Sequence, residues 1–338
     1  MIRTLAVLAA ALLLAAGEPA MRTTGGESPP LDAALLDQAI GEIAARAQPA
    51  SMEVAVQNLE AGEMWAWNGD KAFPMQSVFK APLAAAVLSE VELGHLSLDE
   101  TITLEEPDIS PAHSPVADAW PQVTTYTVRD LLRRTVSDSD NTAADVLMRR
   151  IGGPGALTAW LRSKGIKEIR VDRYERELQP EIVGMASFRI AWKGWPAFEA
   201  ARSRVPEPVR RAAAQRYLED PRDTMTASGG LTFLRKLVDG ELLSKANTAL
   251  LLQMMGQTDF GPNRLAAGLP AGARLAHKSG VSAADLGMTA VVNDIGIVTL
   301  KDGRQYAVVV FLSATPQDEA AQDRIFGDVM RVIVKAAR

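Results

Sequence analysis

Two long apolar runs near the end of the chain constrain its fold more than any other feature. MTAVVNDIGIVTL (288–300) and QYAVVVFLSA (305–314) are rich in β-branched residues and are joined by the polar segment KDGR. Such a pair predicts a β-hairpin. A second strand pair is predicted near the other end, in MEVAVQNLEAGEMWAWNGD (52–70). Because two strands alone are marginally stable, we expect both pairs to share one antiparallel sheet.

The rest of the chain has mainly helical periodicity. Apolar residues recur at helical spacing in SVFKAPLAAAVLSEVELG (77–94) and in several later segments, whereas residues 105–123 are rich in proline and serine and predict a loop. One further helix is predicted before the first strand pair, in PLDAALLDQAIGEIAARA (30–47), and another after the last strand, in DEAAQDRIFGDVMRVIVKAA (318–337).

This order of elements predicts an α+β fold. We expect an antiparallel sheet that is flanked by the N- and C-terminal helices, together with an all-helical lobe. The sheet domain is assigned to residues 31–68 and 265–338, and the helical domain to residues 69–264.

The first residues follow the three-part pattern of a secretory signal. The basic start MIR precedes the apolar run LAVLAAALLLAA, which GEP (17–19) ends. This run is shorter than the roughly 20 residues of a membrane span. We predict a signal peptide at residues 1–20 and a periplasmic or secreted protein; a buried N-terminal helix is the alternative. Since no cysteine is present to carry a lipid, we expect no stable membrane anchor after cleavage.

The composition excludes several functional classes. The 338 residues carry a formal net charge of −5, which gives no electrostatic reason to expect a nucleic-acid partner. The lack of cysteine excludes a thiol nucleophile, a cysteine-ligated metal and a redox motif. The only histidines, His95, His113 and His277, form no HExxH or HxH pair. We therefore expect no metal and no cofactor.

Ser77 and Lys80 stand at the start of the apolar helix predicted at 77–94. Their i, i+3 spacing places both side chains on one face of the helix. A serine hydroxyl becomes a nucleophile when a base takes its proton, and a buried lysine that has lost its own proton can act as that base. An ordinary helix start with a surface lysine is the alternative for this motif alone.

A second motif, SDN (139–141), lies at the junction of two predicted helices. Serine, aspartate and asparagine are also the usual helix N-caps, and this is the alternative interpretation. The functional interpretation makes Ser139 a proton shuttle and directs the Asn141 amide at a substrate.

A third motif, Lys278-Ser279-Gly280, ends the predicted strand RLAHKSG. Gly280 allows a ligand or another backbone to approach closely, and Lys278 supplies a cation for a carboxylate. The strand edge there offers backbone groups to the amides of an extended substrate. A common strand exit is the alternative when this motif is taken alone.

Together, SxxK, SDN and KSG in this order resemble the motif set of the penicilloyl serine transferases, the serine β-lactamases and penicillin-binding proteins. The resemblance implies that Ser77 attacks the lactam carbonyl, with an oxyanion hole formed by the backbone N–H groups of Ser77 and Val281. It further implies that Ser139 passes a proton to the leaving nitrogen. By the same resemblance, Lys278 and Ser279 hold the substrate carboxylate, and Asn141 holds its side-chain amide.

The segment DRYEREL (172–178) resembles the Ω-loop signature of class A β-lactamases, which penicillin-binding proteins lack. By that resemblance, Glu175 activates the water that hydrolyses the acyl-enzyme. Gln179 stands where the family usually has an asparagine that helps to fix this water. Whether Lys80 or Glu175 is the acylation base stays open.

The implied function is the hydrolysis of penicillin- and cephalosporin-type β-lactams, and hence β-lactam resistance. A DD-peptidase-like penicillin-binding protein and a catalytically silent envelope protein are the alternatives, and Glu175 argues against the first. We expect a monomer whose partner is a small-molecule β-lactam. The substrate spectrum is not determined by these motifs.

The Ω-loop region (172–226) is several tens of residues longer than is usual in this family. The resemblance implies that Arg173 pairs with Asp223 to close the loop. The extra residues, 181–220, contain Phe188, Trp192, Trp195 and Phe198, followed by the helical pattern VRRAAAQRYLE. This insertion would shield the loop, line the cleft, contact a partner, or form a packed surface appendage.

Two further residues are candidates for the substrate cleft. Arg264 matches a position at which a subset of the family carries an arginine that binds the substrate carboxylate, and a guanidinium suits that task. An ordinary surface arginine is the equal alternative. His113 matches the aromatic gatekeeper of the cleft.

Overall fold

The computed structural model describes residues 29–261 and 263–337, so the predicted signal peptide lies outside the described residues. The strands are β1 Ser51–Asn58, β2 Met64–Trp67, β3 Phe73–Pro74, β4 Thr101–Thr103, β5 Thr125–Thr127, β6 Thr224–Met225, β7 Arg274–Val281, β8 Ala284–Asp285, β9 Met288–Thr299 and β10 Gln305–Thr315. The α-helices are α1 Ala33–Ala47, α2 Lys80–Glu92, α3 Pro115–Ala119, α4 Val128–Val136, α5 Asn141–Arg150, α6 Pro154–Ser163, α7 Glu175–Glu181, α8 Trp195–Arg202, α9 Glu207–Glu219, α10 Ala227–Val238, α11 Lys245–Gly256 and α12 Glu319–Ala336.

The main sheet joins strands from both ends of the chain, as predicted. Its order is β2-β1-β10-β9-β7, with β8 paired to β9, and all of its pairs are antiparallel. The N-terminal strand β1 pairs with the C-terminal strand β10 from Ser51 opposite Ser313 to Asn58 opposite Tyr306. The α+β fold class is therefore confirmed.

The central strand β10 is buried on both faces, which explains its continuous apolar sequence. Val308 and Val310 pack into the core that β10 shares with α1 and α12. Val309 and Phe311 point to the opposite face, into the core of the helical lobe. The sheet thus separates two hydrophobic cores. The domain limits at residues 68 and 264 stay a prediction.

The helix α2 runs through the middle of the helical lobe. Its residues 80–89 are all buried, so it has no polar face, as expected for a helix surrounded by others. Gly94, with a φ of 76°, follows its C-terminus, in agreement with the predicted end of this helix. The first predicted turn is a 3-10 turn, Gln76–Phe79, rather than part of α2.

The prediction of a loop over residues 105–123 was wrong in part. A 3-10 turn forms at Glu106–Asp108, and α3 begins at Pro115. The Ser114 side chain accepts a hydrogen bond from the amide of Ala117 and so caps α3, while proline is favoured at the first position of a helix. The Ser-Pro pair was thus a helix start signal.

A membrane span is not found among the described helices. None in residues 29–261 and 263–337 is both long and apolar enough to cross a bilayer.

Candidate active site

Ser77 lies in the 3-10 turn before α2, where the edge strand β7 passes close to the backbone of that turn. A Cβ atom added to Gly280 would lie 2.6 Å from the carbonyl oxygen of Met75 and 3.0 Å from the amide nitrogen of Ser77. Glycine is therefore required for β7 to approach so closely. This approach brings the KSG motif beside Ser77.

The ammonium group of Lys80 links all the helical-lobe motifs. It is fully buried and donates hydrogen bonds to Ser77 Oγ at 3.0 Å, to the carbonyl oxygen of Ser139 at 2.7 Å and to Asn141 Oδ1 at 2.5 Å. It also lies 3.2 Å from Glu175 Oε1, and both of these side chains are inaccessible to solvent. A buried cation that is paired and hydrogen-bonded in this way fixes the relative positions of its neighbours.

The side chains of Ser139 and Lys278 are in direct contact. Lys278 Nζ donates to Ser139 Oγ at 2.9 Å and to the carbonyl oxygen of Ser279 at 2.8 Å. Complete burial, together with the charges of Lys80 and Arg264, lowers the pKa of Lys278 well below its ordinary value. Both acceptors are neutral, which leaves the charge of Lys278 for an anionic ligand.

The start of α7 is capped by a carboxylate from α5. The amides of Glu175 and Arg176 donate to the two oxygens of Asp145 at 2.8 and 2.9 Å. Ser110 Oγ donates to the same carboxylate at 2.6 Å. Burial raises the pKa of Asp145 to about 6, and the charge of Glu175 adds to this rise. Asp145 thus holds in place the helix that carries Glu175.

A chain of amide groups continues from the other oxygen of Glu175. Gln179 Nε2 donates to Glu175 Oε2 at 2.7 Å and lies 3.1 Å from Gln76 Oε1, which also accepts from it. Gln76 Nε2 in turn donates to the hydroxyl of Tyr217 at 2.9 Å. Tyr217 belongs to α9, so the insertion contributes directly to the surroundings of Glu175.

The two ends of the Ω-loop region are joined by a buried ion pair. Arg173 Nε lies 2.6 Å from Asp223 Oδ2, and the amides of Asp172 and Arg173 donate to Asp223 Oδ1. Arg173 Nη1 also contacts Glu181 at 2.9 Å and Asp220 at 3.3 Å. The pairing expected of Arg173 and Asp223 is present.

Arg264 and Ser279 lie close together beneath the cleft. A Cβ atom added to Gly261 would lie 2.8 Å from Ser279 Oγ and 2.9 Å from Arg264 Nη1. Arg264 is buried, which lowers its pKa, and it donates to the carbonyl oxygen of Asn293 at 3.2 Å. Ser279 Oγ donates to the carbonyl oxygen of Phe260 at 2.7 Å. The alternative of an ordinary surface position for Arg264 was wrong.

A cleft of about 310 Å³ opens above these groups. Of the predicted site residues, those that line it are Ser77, Ser139, Asn141, Gln179 and Val281. Four other predicted site residues are fully buried behind the side chains that line the cleft. They are Lys80, Glu175, Lys278 and Ser279. His113 also lines the cleft and packs against Phe260, with a ring-centroid distance of 5.2 Å.

Several side chains of the insertion also line this cleft, and together they are called the cleft wall. They are Ile182, Val183, Trp195, Phe198, Glu199, Arg202, Ala214 and Tyr217. Of the four roles left open for the insertion, lining the cleft is therefore the one that the structure supports. No group of three or more metal-ligating side chains is found in the described ranges.

The comparison with known proteins agrees with this geometry. The model of the β-lactamase enzyme family matches residues 35–337. Among curated proteins, the extended-spectrum β-lactamase PER-1 of Pseudomonas aeruginosa is 32% identical over 282 residues, which cover 83% of this chain and 80% of PER-1. The β-lactamase VEB-1 of the same organism is 29% identical, with 85% of each chain covered.

Solved structures identify the class within this family. A β-lactamase from Chitinophaga pinensis is 34% identical, with a TM-score of 0.74 over 90% of this chain and 99% of that one. An ancestral class A β-lactamase (GNCA) is 33% identical, with a TM-score of 0.72 over 89% and 99%. The chain belongs to the class A β-lactamases.

Three residues of this class A β-lactamase that hold the surroundings of Glu175, directly or through a neighbour, were missed in the sequence. Asp145 lies one helical turn after Asn141 on α5, and this i, i+4 spacing was a usable signal. Gln76 stands next to Ser77, but its amide is directed toward Gln179 by a backbone with a φ of 47°. Tyr217 lies far away in the sequence, and no local pattern points to its contact with Gln76.

Proposed function

We propose that this protein, as a hydrolase of β-lactams, works through a covalent intermediate on Ser77 that Glu175 clears. The observation that carries the proposal is the position of Lys80 Nζ, 3.0 Å from Ser77 Oγ and 3.2 Å from Glu175 Oε1. The groups needed for acylation and deacylation are thereby connected through one buried cation.

In acylation, Ser77 Oγ forms a bond to the lactam carbonyl carbon and the carbon–nitrogen bond of the ring then breaks. The acylation base, either the neutral amine form of Lys80 or the carboxylate of Glu175, takes the proton of Ser77. Ser139 gives its proton to the departing nitrogen and regains one from this base, so that no proton is gained or lost overall. The amides of Ser77 and Val281 stabilise the negative charge on the carbonyl oxygen. Ser139 Oγ accepts a hydrogen bond from Lys278, which leaves its own proton available for this transfer.

In deacylation, Glu175 takes a proton from a water molecule as its oxygen forms a bond to the ester carbon. The bond between this carbon and Ser77 Oγ then breaks, and the same proton passes to Ser77, which restores the hydroxyl and the Glu175 carboxylate. Gln179 supports this step because its amide donates to Glu175 Oε2 at 2.7 Å and so fixes the carboxylate. The longer reach of glutamine compared with asparagine is accommodated by the contact of Gln179 with Gln76.

The substrate is held at two ends in this proposal. Lys278 supplies a buried cation for its carboxylate, with Ser279 and Arg264 beside it. Asn141 Nδ2 donates one hydrogen to the carbonyl oxygen of Pro111 at 2.7 Å, and its second hydrogen is free to donate to the acylamino group of the substrate.

We further propose that the protein is exported. The predicted signal at residues 1–20 would direct it to the periplasm or the medium, where β-lactams are met and where hydrolysis confers resistance. The proposed exported form is a monomer that has no lipid anchor.

The test is hydrolysis of nitrocefin by the purified protein and by Ser77→Ala, with Ser203→Ala, an exposed position in the insertion, as the matched control. We expect turnover by the wild type and the control, and a loss of about 10³-fold or more in Ser77→Ala. Mass spectrometry with benzylpenicillin separates the rivals. A long-lived adduct on the wild type would indicate a DD-peptidase, and neither turnover nor adduct would indicate a silent binding protein.

A further inference from the structure

The insertion, residues 181–220, carries an apolar surface that faces the cleft. Trp195 and Phe198 on α8, and Ala214 and Tyr217 on α9, line the same cleft as Ser77. Ile182, just after α7, extends this surface toward Gln179. These side chains expose mainly carbon to the space above the nucleophile, so this wall attracts apolar ligand groups.

Trp195 is the most accessible of these side chains. It is 47% exposed, although it lines the cleft, whereas Phe198, three residues later on the same helix, is only 4% exposed. Phe198 packs in a small core with Val183 and Ala112. An exposed indole on a helix that is anchored by a buried phenylalanine offers a flat surface for stacking a second ring.

Ionic contacts hold the insertion against the sheet. Arg202 Nη1 donates to the carbonyl oxygen of Ala284 at 3.2 Å and lies 3.7 Å from Asp285 Oδ2. Arg210 on α9 pairs with the same aspartate. Since Asp285 belongs to β8, the insertion is attached to the sheet on one side, and through Ala112 to the helical lobe on the other. The cleft wall is therefore held in a fixed position before a ligand binds.

The charges in this wall are internally matched. Glu199 Oε1 accepts from Arg202 Nε at 3.1 Å, and Asp285 is shared by Arg202 and Arg210. Two guanidinium groups therefore face two carboxylates. These four side chains together carry no net charge, and each guanidinium beside the cleft is already paired with a carboxylate.

We infer that the insertion forms a subsite for a large, neutral, aromatic acyl side chain of the β-lactam. This inference rests on the proposed function, which places the lactam carbonyl at Ser77, the carboxylate at Lys278 and the acylamino group at Asn141. Asn141, Gln179 and Trp195 line the same cleft. A phenyl group carried beyond the acylamino carbonyl lies against this indole. β-Lactams with aromatic acyl side chains are therefore the preferred substrates.

The test compares benzylpenicillin with 6-aminopenicillanic acid, which has the same ring system and carboxylate but no acyl side chain. The measured quantity is the ratio of their kcat/KM values. We expect Trp195→Ala to lower this ratio about tenfold, as the loss of an aromatic contact in a substrate pocket does. Trp195→Phe keeps an aromatic face and is expected to recover most of the ratio.

Val209→Ala is the matched control, because Val209 is an exposed apolar residue of the same insertion outside the cleft wall. Its ratio should equal that of the wild type. An unchanged ratio in Trp195→Ala, whether neither kcat/KM value changes or both fall equally, would overturn the subsite. A wild-type protein that hydrolyses neither compound would instead overturn the proposed function.

Discussion

At the scale of single residues, burial changes the pKa of Lys278 and thereby the pH range in which it can bind a carboxylate. It has lost all contact with solvent, and its hydrogen bonds go to neutral oxygens. Burial lowers its pKa, so that the ammonium form is lost at a lower pH than in an exposed lysine. A substrate carboxylate favours the protonated form and is bound best where Lys278 still carries its proton.

This behaviour predicts the alkaline limb of the pH profile. As the pH rises through the lowered pKa, kcat/KM for benzylpenicillin should fall because the carboxylate loses its cation. Lys278→Arg keeps its proton and should move this fall to higher pH, whereas Lys245→Arg on the surface should leave it in place. Measured profiles with the same alkaline limb in Lys278→Arg and the wild type would contradict the role given to Lys278.

Glu53 is a buried acid that takes no part in the candidate site. It lies on β1 without solvent exposure, and burial raises its pKa to about 8, against the opposing effects of Lys71 and the backbone of Ala227. The folded state therefore holds one more proton than the unfolded state between the ordinary pKa of 4.5 and about 8. In that window the contribution of Glu53 to stability decreases as the pH rises.

Glu53→Gln is neutral in both states and should remove this dependence. Urea unfolding between about pH 5 and about pH 8 should show a free energy of unfolding that decreases less steeply with pH than in the wild type, by up to about 1.4 kcal/mol per pH unit. Glu42→Gln on the exposed side of α1 is the control. Equal slopes in Glu53→Gln and the wild type would show that Glu53 titrates normally.

At the scale of elements, α9 is connected to α7 by a chain of side-chain hydrogen bonds. The hydroxyl of Tyr217 accepts from Gln76, the side-chain oxygen of Gln76 accepts from Gln179, and Gln179 donates to one oxygen of Glu175. Tyr217 is buried, so removal of its hydroxyl leaves the Gln76 amide without this acceptor. The carboxylate of Glu175 is then held less firmly, although Tyr217 does not touch it.

Tyr217→Phe should therefore slow deacylation more than acylation. Loss of one buried hydrogen bond corresponds to about a fivefold decrease in kcat. Because the acyl-enzyme accumulates, KM should fall as well, and kcat/KM should change much less. Steady-state kinetics with benzylpenicillin provide the measurement, and Tyr126→Phe, away from the cleft, is the control. Equal losses in kcat and kcat/KM would indicate a purely structural role.

Elements with a strong local pattern were predictable from the sequence. The apolar runs of β9 and β10 and the helix pattern of α2 were sufficient to identify them, because burial on both sides leaves a continuous apolar signature. The short helix α3 was missed, since its five residues are too few for a periodic pattern. Its start was marked only by the Ser114 cap and Pro115.

At the scale of the whole molecule, the candidate site lies where the two halves meet. The edge strand β7 contributes Lys278, and the helical lobe contributes Ser77, Ser139 and Glu175. Residues with family motifs could be named from the sequence because the motifs themselves are local. The contact of Gln76 with Tyr217 could not, since it depends on how α9 packs over the cleft.

The position of the insertion was likewise beyond sequence reasoning. Its helical pattern identified α9, but the attachment of α8 and α9 to the sheet depends on ion pairs of Arg202 and Arg210 with Asp285. Such long-range pairs leave no periodic trace in the sequence. The result is that the candidate catalytic groups and the cleft wall formed by residues 181–220 belong to one pocket.

The most direct test of the account concerns Glu175 as the group that clears the acyl-enzyme. Glu175→Gln keeps the size of the side chain and its place beside Gln179, but it cannot accept a proton from water. Glu177→Gln, an exposed position on the same helix α7, is the matched control. Both variants would be mixed with benzylpenicillin, and the intact protein mass would be followed over time.

We predict that Glu175→Gln gains the mass of one benzylpenicillin on Ser77 and keeps it, while the wild type and Glu177→Gln return to the free enzyme as the substrate is consumed. Turnover by Glu175→Gln at the wild-type rate, with no accumulated adduct, would contradict the central claim.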